Sequence, residues 1–331
     1  MSLTTRQILA LQSFSGVGKK SILKVGNYTS YFIDTDELIE ILSKCSVKKK
    51  SPNESGKVPI TRKELERALD KADQTIELAE SNCVGIISYY EPEFPNILKN
   101  VMTKDGKRED PPVVLFYKGD LSALKEPAIA VIGTRKCTPT AEKAGSYLAS
   151  EFAKRGFCIV SGLALGCDTI GHKEALKAGG RTIAFLAHGL DTVYPPENTE
   201  IAEDIVINGG LLLSEYEIGT RVSPYNLVAR DRLQAGLALA TLVIQTGIQG
   251  GTMHAAQNCA NSGKPLFVVK YRDQQTNSAE ITQGNHMLVN KFGASYISGT
   301  DNLDEIANRI LNGIGSKPAI SSAVRQNSLF D

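Results

Sequence analysis

The sequence predicts an α/β chain: a doubly wound, mostly parallel sheet of about six strands behind a small all-helical N-terminal module. Two patterns carry that expectation. From Pro127 onward short, largely apolar runs alternate with amphipathic stretches of helical period, as strands covered on both faces and their crossover helices require. Between Thr4 and Leu42 the apolar residues Ile8, Leu11, Ile22, Leu23, Leu38, Ile39 and Leu42 recur instead at three- and four-residue spacing, as short helices do.

Taken in order, the helical module ends in Lys44 to Lys71, which carries nine Lys/Arg against four Asp/Glu. Its first half, CSVKKKSPNESGKVP, reads as an exposed linker, and its charge either solvates a helix face or meets nucleic acid. After Val84, GIISYY and PPVVLFYKG are β-rich runs broken by proline. Strands then follow at Ile129–Ile132, Phe157–Val160, Thr182–Leu186, Leu211–Ser214, Ala240–Gln245 and Leu266–Val269. Helices fall near Pro139–Arg155, Thr169–Ala178, Glu197–Asn208, Leu227–Leu237 and Met253–Ser262. The resulting division is 1–83 for the helical module and linker, 84–300 for the sheet with a β extension, and 301–331 for a last helix and exposed tail.

Composition narrows the function classes. With 331 residues, 42% hydrophobic and 22% charged, the chain has material for a large core and no bias toward disorder. Thirty-seven basic against thirty-six acidic residues leave a net charge of +1, so any anion-binding surface must be local. The six cysteines show neither metal-knuckle nor paired spacing, and no apolar stretch is long enough for a membrane span. Reduced thiols and a cytoplasmic location are expected.

In an open parallel sheet, ligands bind where strands end and helices begin, because helix N-termini present unpaired amides and partial positive charge. Three glycine turns stand there: Gly133-Thr134-Arg135-Lys136, Ser161-Gly162-Leu163-Ala164-Leu165-Gly166, and Gly247-Ile248-Gln249-Gly250-Gly251-Thr252. Glycine lets the backbone approach a phosphate closely, so the three together predict an anion site. Neither a dinucleotide fingerprint nor a P-loop occurs. Arg135, Arg221, Arg230 and Arg232 either line a groove for a polynucleotide backbone or pair with Glu215, Glu217 or Asp231. Asp168 and His172, one helical turn apart, fit capping and orienting a loop better than acid–base work. The four histidines lack metal-ligand spacing, and no competent catalytic set, metal site or cofactor site emerges.

The ordered segments GTRKCTPTAEKAG, SGLALGCDTIGHKEAL, GGRTIAFLAHGLDTVYPPEN, LLSEYEIGT, ARDRLQAGLALATLVIQTG and QGNHMLVNKFGA resemble the Rossmann-like core of the DNA-processing protein A family, also called Smf, over about Pro127 to Gly293. The resemblance implies a cytoplasmic, non-enzymatic, homodimeric protein that binds single-stranded DNA and helps load the RecA recombinase during natural transformation. It places the family's backbone-binding turn on Gly133, Thr134 and Arg135, its second glycine turn on Ser161, Gly162 and Gly166, and its arginine motif on Arg230 and Arg232. This chain departs from the pattern at Asp231, where the family has an amide; at Gln245, where it often has an acid; and at Gly250-Gly251-Thr252 in its third turn. A short tail stands where many members have a winged helix.

Two peripheral motifs point the same way. Gly16, Gly18, Lys19 and Lys20 resemble a helix-hairpin-helix turn, whose amides can grip a DNA phosphate. Gln326, Leu329 and Phe330 resemble the short peptide that engages the sliding clamp. A nucleotide or small-ligand sensor of the same superfamily is the alternative reading. A nucleotide N-glycosidase, suggested by Gly250-Gly251-Thr252, lacks the glutamate that should follow, since Met253 to Gln257 contains none.

Overall fold

A computed structural model describes residues 3–28, 33–51, 56–103 and 108–313. The chain opens with α1 (Thr5–Gln12), α2 (Lys19–Gly26) and α3 (Thr35–Lys44), continues through a hairpin of β1 (Lys48–Lys50) and β2 (Lys57–Pro59), and enters α4 (Arg62–Ser81). Local sequence sets three of these starts. Thr4 with Gln7, Asp34 with Glu37 and Thr61 with Glu64 each close a reciprocal capping box that satisfies otherwise orphaned amides. The segment expected to be a linker therefore contains a hairpin. It is anchored by the Lys50 amide on the Ser15 carbonyl at 2.7 Å and by a Lys49–Glu64 ion pair at 2.9 Å.

The remaining elements follow as β3 (Gly85–Ser88), β4 (Val114–Gly119), β5 (Ala128–Ile132), α5 (Pro139–Lys154), β6 (Cys158–Ser161), α6 (Cys167–Lys177), β7 (Thr182–Leu186), α7 (Thr199–Ile207) and β8 (Leu211–Ser214). Then come α8 (Pro224–Leu237), β9 (Ala240–Val243), α9 (Gly251–Asn261), β10 (Leu266–Val269), α10 (Gln274–Ser278), α11 (Gln283–Phe292), β11 (Ser295–Ile297) and α12 (Leu303–Leu311). Nine strands form one sheet in the order β11-β10-β9-β5-β6-β7-β8-β4-β3. The six expected strands are its parallel centre. β11 extends it in parallel, and β4 and β3 close the other edge antiparallel, with Phe116 opposite Ser214 and Ile86 opposite Phe116.

Strand side chains alternate between two buried layers, which is why the strands read as largely apolar on both faces. Ile129, Val131, Ile159 and Leu242 pack with α5, α6 and α12 on one face. Ile183, Phe185, Leu211 and Leu213 pack on the opposite face with Leu233 and Leu237 of α8. The N-terminal helices bury Ile8, Leu38, Leu65 and Leu69 in a cluster that continues into Phe116, Leu186 and Leu212 of the sheet. One apolar core thus crosses the expected boundary at residue 83. Among the described residues no helix is long and apolar enough to cross a membrane.

Candidate nucleic-acid interface

Beside β5 the chain reverses its direction of travel across the sheet. It runs outward through β6, β7 and β8, and α8 then carries it back to β9 on the other flank of β5. The helices following β5 and β9 diverge there, opening a crevice at the strands' carboxyl ends. A pocket of ≈ 650 Å³ occupies it, walled by the first and third glycine turns and by α8.

The first turn is built tightly. A Cβ at Gly133 would collide with Cys167 Sγ and lie 2.9 Å from the Gln245 carbonyl oxygen, so only glycine lets β5 pass this close to α6. The Thr134 amide donates to Gln245 O at 2.7 Å, and the Lys136 amide donates to Thr134 Oγ1 at 3.3 Å. Gln245, a departure from the family pattern, is structural: its Oε1 accepts the Thr138 amide at 2.9 Å and its Nε2 donates to Thr282 Oγ1 at 2.8 Å. Arg135 and Lys136 are exposed, and Arg135 lines the pocket without an ion-pair partner among the described residues.

The third turn supplies the facing wall. Gly250 adopts φ +119° as the N-cap of α9 and no side chain caps that helix, so the first-turn amides of α9 stay open beside Arg135. Thr252 Oγ1 donates to Gly133 O at 2.9 Å and ties the two turns together.

The second turn differs from the anion-site expectation, because its own helix already supplies the anion. Asp168, in the first turn of α6, accepts the Gly162 amide at 3.1 Å, and His172 Nε2 accepts the Leu163 amide at 3.3 Å. Ser161 is buried with its hydroxyl on Val131 O at 2.7 Å, and a Cβ at Gly166, φ +78°, would stand 2.6 Å from the Arg135 carbonyl oxygen. Asp168 and His172 thus orient the loop, as their spacing suggests. Burial raises the Asp168 pKa against the pull of Arg230, and burial lowers that of His172 to about 3. Because Nε2 accepts a backbone amide, the His172 proton sits on Nδ1 and donates to Thr182 Oγ1 at 2.6 Å.

The arginines separate by environment. Arg221 is exposed just before α8, and Val222 and Ser223 beside it line the pocket. Arg230 is buried and donates Nη1 to Gly162 O at 2.7 Å and to Phe185 O, bracing the second turn from beneath. Arg232 faces away from the pocket. Its Nη2 meets Glu215 and its Nε meets Asp110, both at 2.8 Å. Lys19 joins the same two carboxylates, at 2.7 Å from Glu215 and 3.3 Å from Asp110. Burial opposes the Glu215 charge, yet Arg232 and Lys19 together hold its pKa below the usual range. So neither Arg230 nor Arg232 continues an accessible cationic path, and Lys19 clamps the helical module to the core. The physical reason is the company each acquires on folding: Arg230 is spent on the Gly162 and Phe185 carbonyls, and Glu215 and Asp110 neutralise Arg232 and Lys19.

The other peripheral residues are placed as follows. Gly16, φ +87°, lies against the Lys50 side chain; Gly18 caps α2 and, like Lys20, is exposed. Gln326, Leu329 and Phe330 lie outside the described residues. Sequence reasoning missed the aromatic rim. Tyr194 is 42% exposed on the pocket wall and Tyr225, 80% exposed, stands in the first turn of α8, one residue from Pro224 of the pocket lining. The available signal was proline-flanked tyrosine at a strand-to-helix connection, in TVYPPEN and RVSPYN. Among the described residues no group of three or more His, Cys, Asp or Glu is disposed to hold a metal.

Comparison with known proteins gives this geometry a family. A family model described as DNA recombination-mediator protein A matches residues 85–309. The chain is 32% identical to the Smf protein of Synechocystis sp. over 72% of its own length, and spans 56% of that protein. It superposes on the crystal structure of DNA processing protein A from Streptococcus pneumoniae with a TM-score of 0.71 and 26% identity, covering 93% of this chain and 98% of that one. A structure of DNA processing protein A from Helicobacter pylori, described for its single-stranded DNA binding mode, matches with a TM-score of 0.57 and 33% identity, covering 69% of this chain and 96% of that one. From Gly85 to Arg309, the chain belongs to the DNA recombination-mediator protein A family.

Proposed function

We propose that this chain is a cytoplasmic recombination mediator that binds single-stranded DNA across the carboxyl rim of its sheet. The observation that carries the reading is the placement on one pocket of Arg135, which has no ion-pair partner among the described residues, and the exposed Tyr194, with the exposed Tyr225 one residue beyond the lining. Arg135 faces the uncapped start of α9, and Tyr194 and Tyr225 stand nearby. Guanidinium and amides suit a phosphate, whereas the rings offer stacking platforms that only an unwound strand can use. Gly133, Thr134, Gly250 and Thr252 shape the phosphate position, and Arg221 and Lys136 extend its charge.

Loading of the RecA recombinase, a homodimeric state, a DNA contact at Gly18 and Lys20, and a clamp contact through Gln326, Leu329 and Phe330 rest on the resemblance and complete the proposal. A second reading has one observation in its favour: ≈ 650 Å³ also suits a single nucleotide. A competition assay at fixed salt decides between them. Labelled single-stranded DNA should be displaced by unlabelled single strands far better than by duplex or mononucleotides. Displacement by a mononucleotide alone contradicts the mediator reading and supports the sensor.

A further inference from the structure

The floor of the pocket is acidic. Asp231 lines it with its side chain 13% exposed, and Oδ1 stands 3.4 Å from Arg230 Nε in a loose pair. Oδ2 lies 2.7 Å from where a Cβ on Gly251 would be, and among the described residues no donor meets it. Arg230 is meanwhile turned onto the Gly162 and Phe185 carbonyls, and Asp168 faces the same cavity. A phosphate on this floor would meet two carboxylates and one guanidinium already engaged, so the strand's phosphate belongs at the rim with Arg135. What the floor can accept is a neutral group rich in N–H donors.

Building on the single-strand reading, we propose that Asp231 makes this pocket a guanine-selective site for one base of the bound strand. The argument is one of donor geometry. Guanine offers N1–H and an N2 amino hydrogen side by side, matching a carboxylate's two oxygens and their spare lone pairs. Cytosine and adenine set their single amino group beside a ring nitrogen whose lone pair opposes the carboxylate. Thymine's N3–H is flanked by two carbonyl oxygens that do the same. The pocket volume accommodates a purine nucleotide, and Leu227 and Val228 give it apolar wall.

The test compares two labelled strands of equal length, one repeating thymine-thymine-guanine and one all thymine, by fluorescence anisotropy with the full chain. The guanine strand should bind tighter by on the order of tenfold. That preference should vanish in Asp231→Asn, whose amide donates as well as accepts, and in Asp231→Ala. Equal binding of both strands by the unaltered protein overturns the proposal and leaves the single-strand reading standing, as does a preference that survives both substitutions. If neither strand binds, both fall. Displacement of the guanine strand by free dGMP at comparable affinity assigns the pocket to a mononucleotide and overturns the proposal.

Discussion

The Asp168 carboxylate accepts the Gly162 amide at 3.1 Å, so the second glycine turn is closed by an acid from its own helix. Arg230 approaches the same turn from below through the Gly162 carbonyl. Together they make this turn a wall of the pocket with its own acid and leave phosphate contact to the first and third turns, which follow the adjacent strands β5 and β9.

Asp168→Ala should be costly. It strips an acceptor from the Gly162 amide and leaves the buried Arg230 guanidinium beside fewer negative charges. Leaving a buried amide without its acceptor costs about 1–3 kcal/mol. Urea unfolding followed by circular dichroism measures it; an unchanged midpoint contradicts the assignment.

His172 gives a pH dependence. Its folded pKa lies near 3, below the ordinary value of 6.5, so it contributes stability at neutral pH that is progressively lost as pH falls from about 6.5 toward 3. Each unit of that interval is worth about 1.4 kcal/mol. Asp168 and Asp231, whose pKa values burial raises (Asp231 to about 6), act in the opposite direction. The informative quantity is therefore a difference: His172→Gln should flatten the acid limb of a Tm-versus-pH curve relative to the parent. Parallel acid limbs would show that His172 does not stay neutral in the fold.

Glu215 is the hinge pin between module and core. Glu215→Ala leaves the buried Arg232 with Asp110 as its remaining acid and frees Lys19 from its shorter pair. A loss of about 3 kcal/mol is expected, with faster hydrogen exchange in α1 and α2. Lys19→Ala, at a partly exposed end of the network, should cost about 1 kcal/mol or less. A reversed ranking would mean that Lys19 rather than Glu215 organises the contact.

Tyr225 tests the stacking role without disturbing the fold. Because it is 80% exposed, Tyr225→Ala should leave Tm unchanged while weakening single-strand binding by about 1–3 kcal/mol, and Tyr225→Phe should restore it. Unaltered affinity in the alanine variant removes Tyr225 from the strand's path.

The parallel centre of the sheet was legible because strands buried on both faces must be apolar over most of their length, as Leu211–Leu213 and Ile183–Leu186 are, with the polar Ser214 and Thr182 only at strand ends. The antiparallel edge was legible only as β-rich runs, since nothing local says that Phe116 pairs with Ser214. β11 is three residues, too short for any period. Within the site, the glycine turns announced themselves by residue type, but Arg230 and Arg232 looked alike from sequence. What distinguishes them from Arg135 is the company of Gly162, Asp110 and Glu215, acquired only on folding. For the second turn a clue was present: Asp168 two residues after Gly166 is a helix start that can satisfy itself.

The salt dependence of single-strand binding, compared between the parent chain and Arg135→Ala, bears most directly on where the strand lies. Each phosphate neutralised contributes about −0.7 to the slope of log K against log salt. Losing Arg135 should weaken binding and make that slope shallower by about one such contact. Identical affinity and slope in the two proteins would show that no phosphate rests between the end of β5 and the start of α9.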